Sequence, residues 1–300
     1  MPWERRDPAM KPDSPPDLHD DHNPYAPPRT DFQKRPKSPP GVVPFDPAAI
    51  LVAAWNLFSR RPLACLSLGW TVFGLAWLSQ EFHESILREA ERAVRDEAGH
   101  FLIRYGMFLG TFILNFWLNV GQDLALLRLA RGEREVWGDL FGGWPWLSSS
   151  ILAALLVVGA MTLAGFLVMA WLPVAGILLG LWNPAVMLVA MFGMVLGLAV
   201  AGMVGLRLSQ FQYLIIDESL GPVEALRRSW ELTQGRVGML VVIFLFIVAI
   251  NLAGILMLIV GVLFTLPFTN LLLTVTYLSL SGKPLGTAEP DLESLDQPEG

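Results

Sequence analysis

Residues 206–237, LRLSQFQYLIIDESLGPVEALRRSWELTQGRV, decide how the chain is read, because they separate two long stretches with no formal charge. Residues 141–206 before them and 237–282 after them contain no Asp, Glu, Lys, Arg or His. Roughly 20 apolar residues cross the hydrocarbon core of a bilayer, so each stretch is long enough for two helical passes with a reversal between them. The expectation is an all-α, polytopic helical membrane protein.

Working outward, the charge-free runs and their flanks place about six transmembrane helices near 62–80, 101–122, 146–171, 183–206, 237–258 and 260–281 of a membrane domain covering 46–282. Asp46-Pro47 looks like an N-cap with proline at the first helical position. It opens a helix too short to span, which should lie along the interface with Trp55, Arg60 and Arg61 at the headgroups. Residues 81–100 pair Glu84 with Arg88 and Glu91 with Arg95 at i,i+4 and predict a separate surface helix. Residues 123–143 read as a polar connection. Residues 171–183, bounded by Trp171 and Trp182, are too short to cross and should lie in the far interface or re-enter the membrane. A tight reversal is expected between Gly254 and Gly261.

The ends have a different composition. Residues 1–45 hold 12 of the 22 prolines, and with so little apolar surface to bury they predict a disordered tail. Residues 283–300 predict an acidic disordered tail. Between Arg60 and Lys283 the 14 basic and 14 acidic residues balance, so the net charge of −6 sits in the tails and there is no basic stripe for nucleic acid. Basic residues collect on one side if both termini are cytoplasmic, which predicts a multi-pass cell-membrane protein with both ends inside; the helix at 81–100, with Arg88, Arg92 and Arg95, runs against this bias.

Reactive chemistry is sparse. His19-Asp20-Asp21-His22 lies in the tail without a scaffold, and His83-Glu84 lacks the second His of a helical zinc motif because Leu87 stands there. The one cysteine, Cys65, excludes an intrachain disulfide. No His follows His100, and no acid is expected deep in a span, so neither catalytic nor metal-binding residues are assigned, no cofactor is implied, and an enzyme is not expected. Arg104 is expected to anchor at an interface rather than to form a site.

Two patterns point to contacts instead. Gly193, Gly197, Ala201 and Gly205 recur every four residues and predict close helix packing, echoed by Gly106 and Gly110. In 221–236, Gly221-Pro222 opens an amphipathic helix with Val223, Leu226, Trp230 and Thr233 on its apolar side and the pairs Glu224/Arg228 and Arg227/Glu231 on the other. Arg227, Arg228, Trp230 and Arg236, with Trp55, Arg60 and Arg61, are thus the candidate contacts for lipid or a partner. Ala54-Trp55-Asn56-Leu57…Arg61 and Ser229-Trp230-Glu231-Leu232…Arg236 share W-x-L-x-x-x-R before a span, which reads either as a repeated interfacial foot or as chance likeness in a short motif.

The stretches QFQYLIIDESLGPVEALRRSWELTQGRVG, LLTVTYLSLSG and LARGEREVWGDLFGG resemble bacterial membrane domains related to the one that precedes glycerophosphodiester phosphodiesterase catalytic domains. The likeness covers roughly residues 46–283 and implies a helical membrane fold without an assigned activity, the phosphodiesterase domain being expected to be absent. The chain departs from it at Pro173-Val174, where the family has proline-glycine.

The functional expectation is a non-enzymatic organiser that binds membrane lipids, and beyond them a protein partner or a second copy of the chain, but not nucleic acid. The alternative is a permease for a small or lipidic solute lined by Asn115, Asn119, Gln122, Asn251 and Asn270.

Overall fold

The computed structural model describes residues 41–94, 96–133, 136–178 and 184–286. Among them the protein is all-α, and six helices are long and apolar enough to cross a membrane. The tails before residue 41 and after 286 lie outside the described residues, as do the His19–His22 cluster, Arg95 and residues 179–183.

Helix α1 (Pro47–Arg60) starts where Asp46 Oδ2 accepts the Ala49 amide at 3.1 Å. Its 14 residues reach only about 21 Å, too short to span. Ile50, Ala54 and Phe58 are buried, and the Phe58 ring meets Phe264 and Phe268 of α9 (Leu258–Ser281) edge-on.

Helices α2 (Pro62–Ala93) and α3 (Glu97–Ala130) form a hairpin. This corrects two expectations. Residues 81–93 are no separate surface helix but continue α2 without a break. The two helices are joined between Ala93 and Glu97, and Asp96 Oδ2 caps α3 by accepting the Gly99 amide at 2.9 Å. At about 1.5 Å per residue each arm is close to 50 Å long, well beyond a hydrocarbon core of about 30 Å. The end bearing Glu84, Arg88, Glu89 and Arg92 therefore projects past the membrane. At the other end residues 123–130 belong to α3 rather than to a polar connection, and Leu124, Ala125, Leu126 and Leu127 are buried. Asp123 thus lies within α3, a helix long and apolar enough to span, seven residues before its end.

A 3₁₀ turn (Gly138–Phe141) leads into α4 (Trp144–Leu178), which pairs with α5 (Pro184–Leu208). Helix α4 continues through Leu178, so residues 171–178 neither re-enter nor lie flat as a loop. The small-residue stripe of α5 faces α4: a Cβ on Gly197 would stand 3.0 Å from the Gly165 carbonyl oxygen, and Gly205 lies against Met161. Gly193 is buried, and the Ala201 methyl faces Gly165. Gly106 and Gly110 differ, since a Cβ on either would meet nothing within 4 Å from another element, so among the described residues neither is a packing site.

After a break at Ser209-Gln210 the chain forms α6 (Phe211–Glu218), closed by Ser219 in the left-handed region at φ 51°. Then come α7 (Pro222–Thr233) and α8 (Val237–Leu256). Helices α8 and α9 reverse at Met257, where Gly254 and Gly261 touch so closely that a side chain on Gly261 would overlap the Gly254 backbone.

Helix α9 is the centre of the bundle. It contacts α1, α2, α3, α7 and α8, and Leu271, Leu272, Val275, Tyr277 and Leu278 are fully buried. Apolar burial contributes little between helices in lipid, so close fit and polar bonds decide the arrangement. Pro267 illustrates the fit, its ring filling the space that the missing side chain of Gly69 leaves on α2.

The folded unit reaches a few residues into both expected tails. Val43 and Phe45 pack on the core, Ser279 Oγ donates to the Val43 carbonyl, and the Leu285 amide donates to the Gly41 carbonyl at 2.9 Å. Residues 41–45 and 283–286 therefore belong to the folded unit.

Candidate functional site

Four charged or phenolic side chains from separate elements meet where α3, α6 and α9 end together. Asp217, with 5% of its side chain exposed, receives Lys283 at 2.6 Å, the Tyr277 hydroxyl at 2.8 Å and the Arg131 guanidinium. Lys283 also bridges to Glu218 at 2.8 Å. A nearly buried carboxylate with two cations and a hydroxyl donor has its desolvation offset by charge-assisted bonds. It ties the ends of α3, α6 and α9 into one joint.

A second polar group lies next to it. The Tyr277 ring stacks on Tyr213 with centroids 5.3 Å apart, and the Tyr213 hydroxyl is bonded to Asp123 and approached by the Thr274 hydroxyl at 3.4 Å. Tyr213, Asp217 and Glu218 fall in one stretch that carried the family resemblance, Thr274 and Tyr277 in another, and Arg131 in the third. Sequence reasoning assigned none of these to a site. The available signal was the i,i+4 spacing of Tyr213 and Asp217 in a charge-poor segment, since partners four apart share a helix face.

Farther along the bundle, Asn119, Gln122 and Asn270 line one open cleft of about 200 Å³ between α2, α3 and α9, together with Trp70, Phe73 and Pro267. Asn115 and Asn251 do not join them. The Asn115 amide bonds the Thr111 carbonyl and Ser79 Oγ, and Asn251 bonds the Ile247 carbonyl one turn back.

A larger cleft of about 570 Å³ runs between α4, α5, α8 and α9. Its walls are apolar side chains such as Met161, Met203, Phe244 and Ile247, and Ser209, Gln210 and Thr276 supply its polar groups. Gln210 is 1% exposed, and its Oε1 has no hydrogen-bond partner in the protein.

Helix α7 sits beside that end, with a face different from the expected one. Ala225, Ser229 and Thr233 are its buried side chains, whereas Val223 and Trp230 are exposed. Ser229 Oγ donates to the Arg207 carbonyl at 2.9 Å and accepts the Gln210 amide at 3.3 Å, so small polar side chains seat the helix on the α5–α6 break. Trp230 instead carries the Arg207 guanidinium 4.3 Å above its ring, a cation–π contact.

The other expected contact residues are spread around the same end. Arg227 and Arg228 are exposed and both pair with Glu231. Arg236 bonds the Leu280 carbonyl at 3.2 Å, Arg61 bonds the Glu133 carbonyl at 2.8 Å, and Arg60 and Trp55 are exposed. The two W-x-L-x-x-x-R segments have matching environments: Ala54 and Ser229 are fully buried, Trp55 and Trp230 are half-exposed, and Arg61 and Arg236 each precede the first residue of a span. Arg104 is exposed near Glu97 and His100 on the projecting part of α3. Among the described residues no group of three or more His, Cys, Asp or Glu could hold a metal ion.

No family model matches the chain, and no curated protein or solved structure matches it.

Proposed function

We propose that the protein is a non-enzymatic, lipid-binding organiser of a bacterial cytoplasmic membrane, with both termini cytoplasmic. The observation that carries this reading is the cleft between α4, α5, α8 and α9. It is roomy and apolar enough for an acyl chain, and among its polar residues the buried Gln210 Oε1 lacks a donor. The hydroxyl of a glycerol headgroup supplies such a donor, and the exposed arginines of α7 suit an anionic phosphate. Gly202 lines the cleft with nothing within 4 Å of a Cβ placed there, so Gly202→Trp fills the space without displacing backbone. Native mass spectrometry of the purified protein should show phosphatidylglycerol retained by the wild type and lost from Gly202→Trp. Equal retention by both would refute the reading.

A second reading, passage of a small solute, has its own observation. Three of the five amides expected to line a path share one cleft. Flux of a panel of radiolabelled metabolites into proteoliposomes tests it, and no uptake above protein-free vesicles would exclude it.

A further inference from the structure

Helix α3 carries polar residues every fourth position, Thr111, Asn115, Asn119 and Asp123, and each meets another polar group. His83 of α2 bonds Thr111 Oγ1 at 2.9 Å. The Asn115 amide bonds Ser79 Oγ at 3.3 Å and the Thr111 carbonyl at 2.8 Å, and the Asn119 amide bonds the Asn115 carbonyl at 2.8 Å. Asn119 shares its cleft with Gln122 and Asn270, and the Asn270 carbonyl accepts from Thr274 at 3.1 Å. Thr274 reaches Tyr213, the partner of Asp123, and Tyr213 stacks on the Tyr277 that bonds Asp217. The file on α3 from Thr111 to Asp123 rises about 18 Å, and the Tyr213–Tyr277 pair carries it on to Arg131 at the end of the helix, about 30 Å in all and the thickness of the hydrocarbon core. A file of polar side chains of that length is costly in lipid without a use, and a carboxyl within it most of all.

We infer that the seam of α2, α3 and α9 is a path for protons across the membrane, with Asp123 as the carboxyl that carries them. Amide and hydroxyl side chains both donate and accept, so they support a water chain, and the cleft at Asn119, Gln122 and Asn270 has room for several waters. A hydronium in that cleft gives its proton to the Asp123 carboxylate, leaving water and a carboxylic acid. Return of the proton to water at the Asp217 end regenerates the carboxylate. The group that meets Asp123 is the Tyr213 hydroxyl of α6, itself approached by the Thr274 hydroxyl and stacked on Tyr277 of α9, while the ion pairs of Arg131 and Lys283 go to Asp217. At the far end His83 meets Thr111, with Glu81 and Glu84 next to it along α2. The inference deepens the solute reading by naming the species that moves, and is independent of lipid binding.

The test is proton entry into proteoliposomes holding a pH-sensitive dye, driven by a valinomycin-clamped potassium gradient. The wild type and Asp123→Glu should acidify the lumen faster than protein-free vesicles. Asp123→Asn and the milder Asn119→Leu, whose side chain is exposed, should fall toward the protein-free rate. Dicyclohexylcarbodiimide, which labels protonated carboxyls in apolar surroundings, should modify Asp123 in the wild type and block entry. Wild-type flux no faster than protein-free vesicles, or unchanged flux in Asp123→Asn, would overturn the inference. Metabolite uptake without proton flux would overturn it too while leaving the solute reading standing.

Discussion

The Tyr277 hydroxyl donates to Asp217 Oδ2 at 2.8 Å, and through that bond the central helix of the bundle holds the short helix before the amphipathic turn. Arg131 and Lys283 complete the joint, so removing the carboxylate leaves two partly buried cations unpaired, whereas removing the hydroxyl leaves the ion pairs intact. Asp217→Ala should therefore destabilise the protein by about 3 kcal/mol and Tyr277→Phe by about 1 kcal/mol. Unfolding in mixed micelles by graded denaturing detergent measures both, and equal effects would mean that the cations contribute nothing.

Glycines of similar spacing have opposite surroundings in α3 and α5. Gly197 faces the Gly165 backbone while Gly106 meets nothing. Gly197→Leu should push α4 from α5 and cost at least about 2 kcal/mol, with Gly106→Leu within about 0.5 kcal/mol of wild type. Thermal melting in detergent by size-exclusion chromatography compares them. A strong loss in Gly106→Leu with a change in elution volume would instead reveal a second copy of the chain on α3.

Helix α7 separates a folding role from a surface role. Ser229→Val should lower the melting temperature, since it removes the donor to the Arg207 carbonyl and the acceptor of the Gln210 amide. Trp230→Ala, or Arg227→Glu with Arg228→Glu, should leave melting nearly unchanged and reduce the preference for anionic over zwitterionic lipid in nanodisc exchange. Unaltered lipid preference in the surface variants would remove α7 from the lipid contact.

Sidedness follows from the contacts of the basic end. Arg61, Arg131, Arg236 and Lys283 are all bonded there, and the charged tip of the α2–α3 hairpin is at the opposite end. With Cys65 replaced by Ala, a cysteine at Lys283 should react with impermeant maleimide only after cell lysis, and one at Glu89 should react in intact cells. The reverse pattern would place the termini outside.

What the sequence revealed depended on how local the cause was. Absence of charge over dozens of residues is a local property, so the six spanning helices and the Gly254–Gly261 reversal could be read directly. Where a helix leaves the membrane is different, because charges at 81–93 exclude lipid without breaking a helix, and the segment continued α2. Asp123 seemed to begin a loop because charges follow it, yet the apolar residues 124–127 keep it within α3. The facing of α7 misled for another reason. An apolar side set against a polar side assumes two environments, and this helix has three, with protein taking Ala225, Ser229 and Thr233 and leaving Val223 and Trp230 outward. The partners of Asp217 lie 86 and 66 residues away, beyond any pattern of spacing.

Photo-crosslinking with phosphatidylglycerol bearing a diazirine on its acyl chain tests the lipid-binding account most directly. If the cleft between α4, α5, α8 and α9 holds the chain, peptide mapping should place the adducts on Met161, Met203, Phe244 and Ile247, and Gly202→Trp should abolish them. Adducts spread evenly over the exposed faces of α3 and α4, and unchanged in that variant, would contradict it.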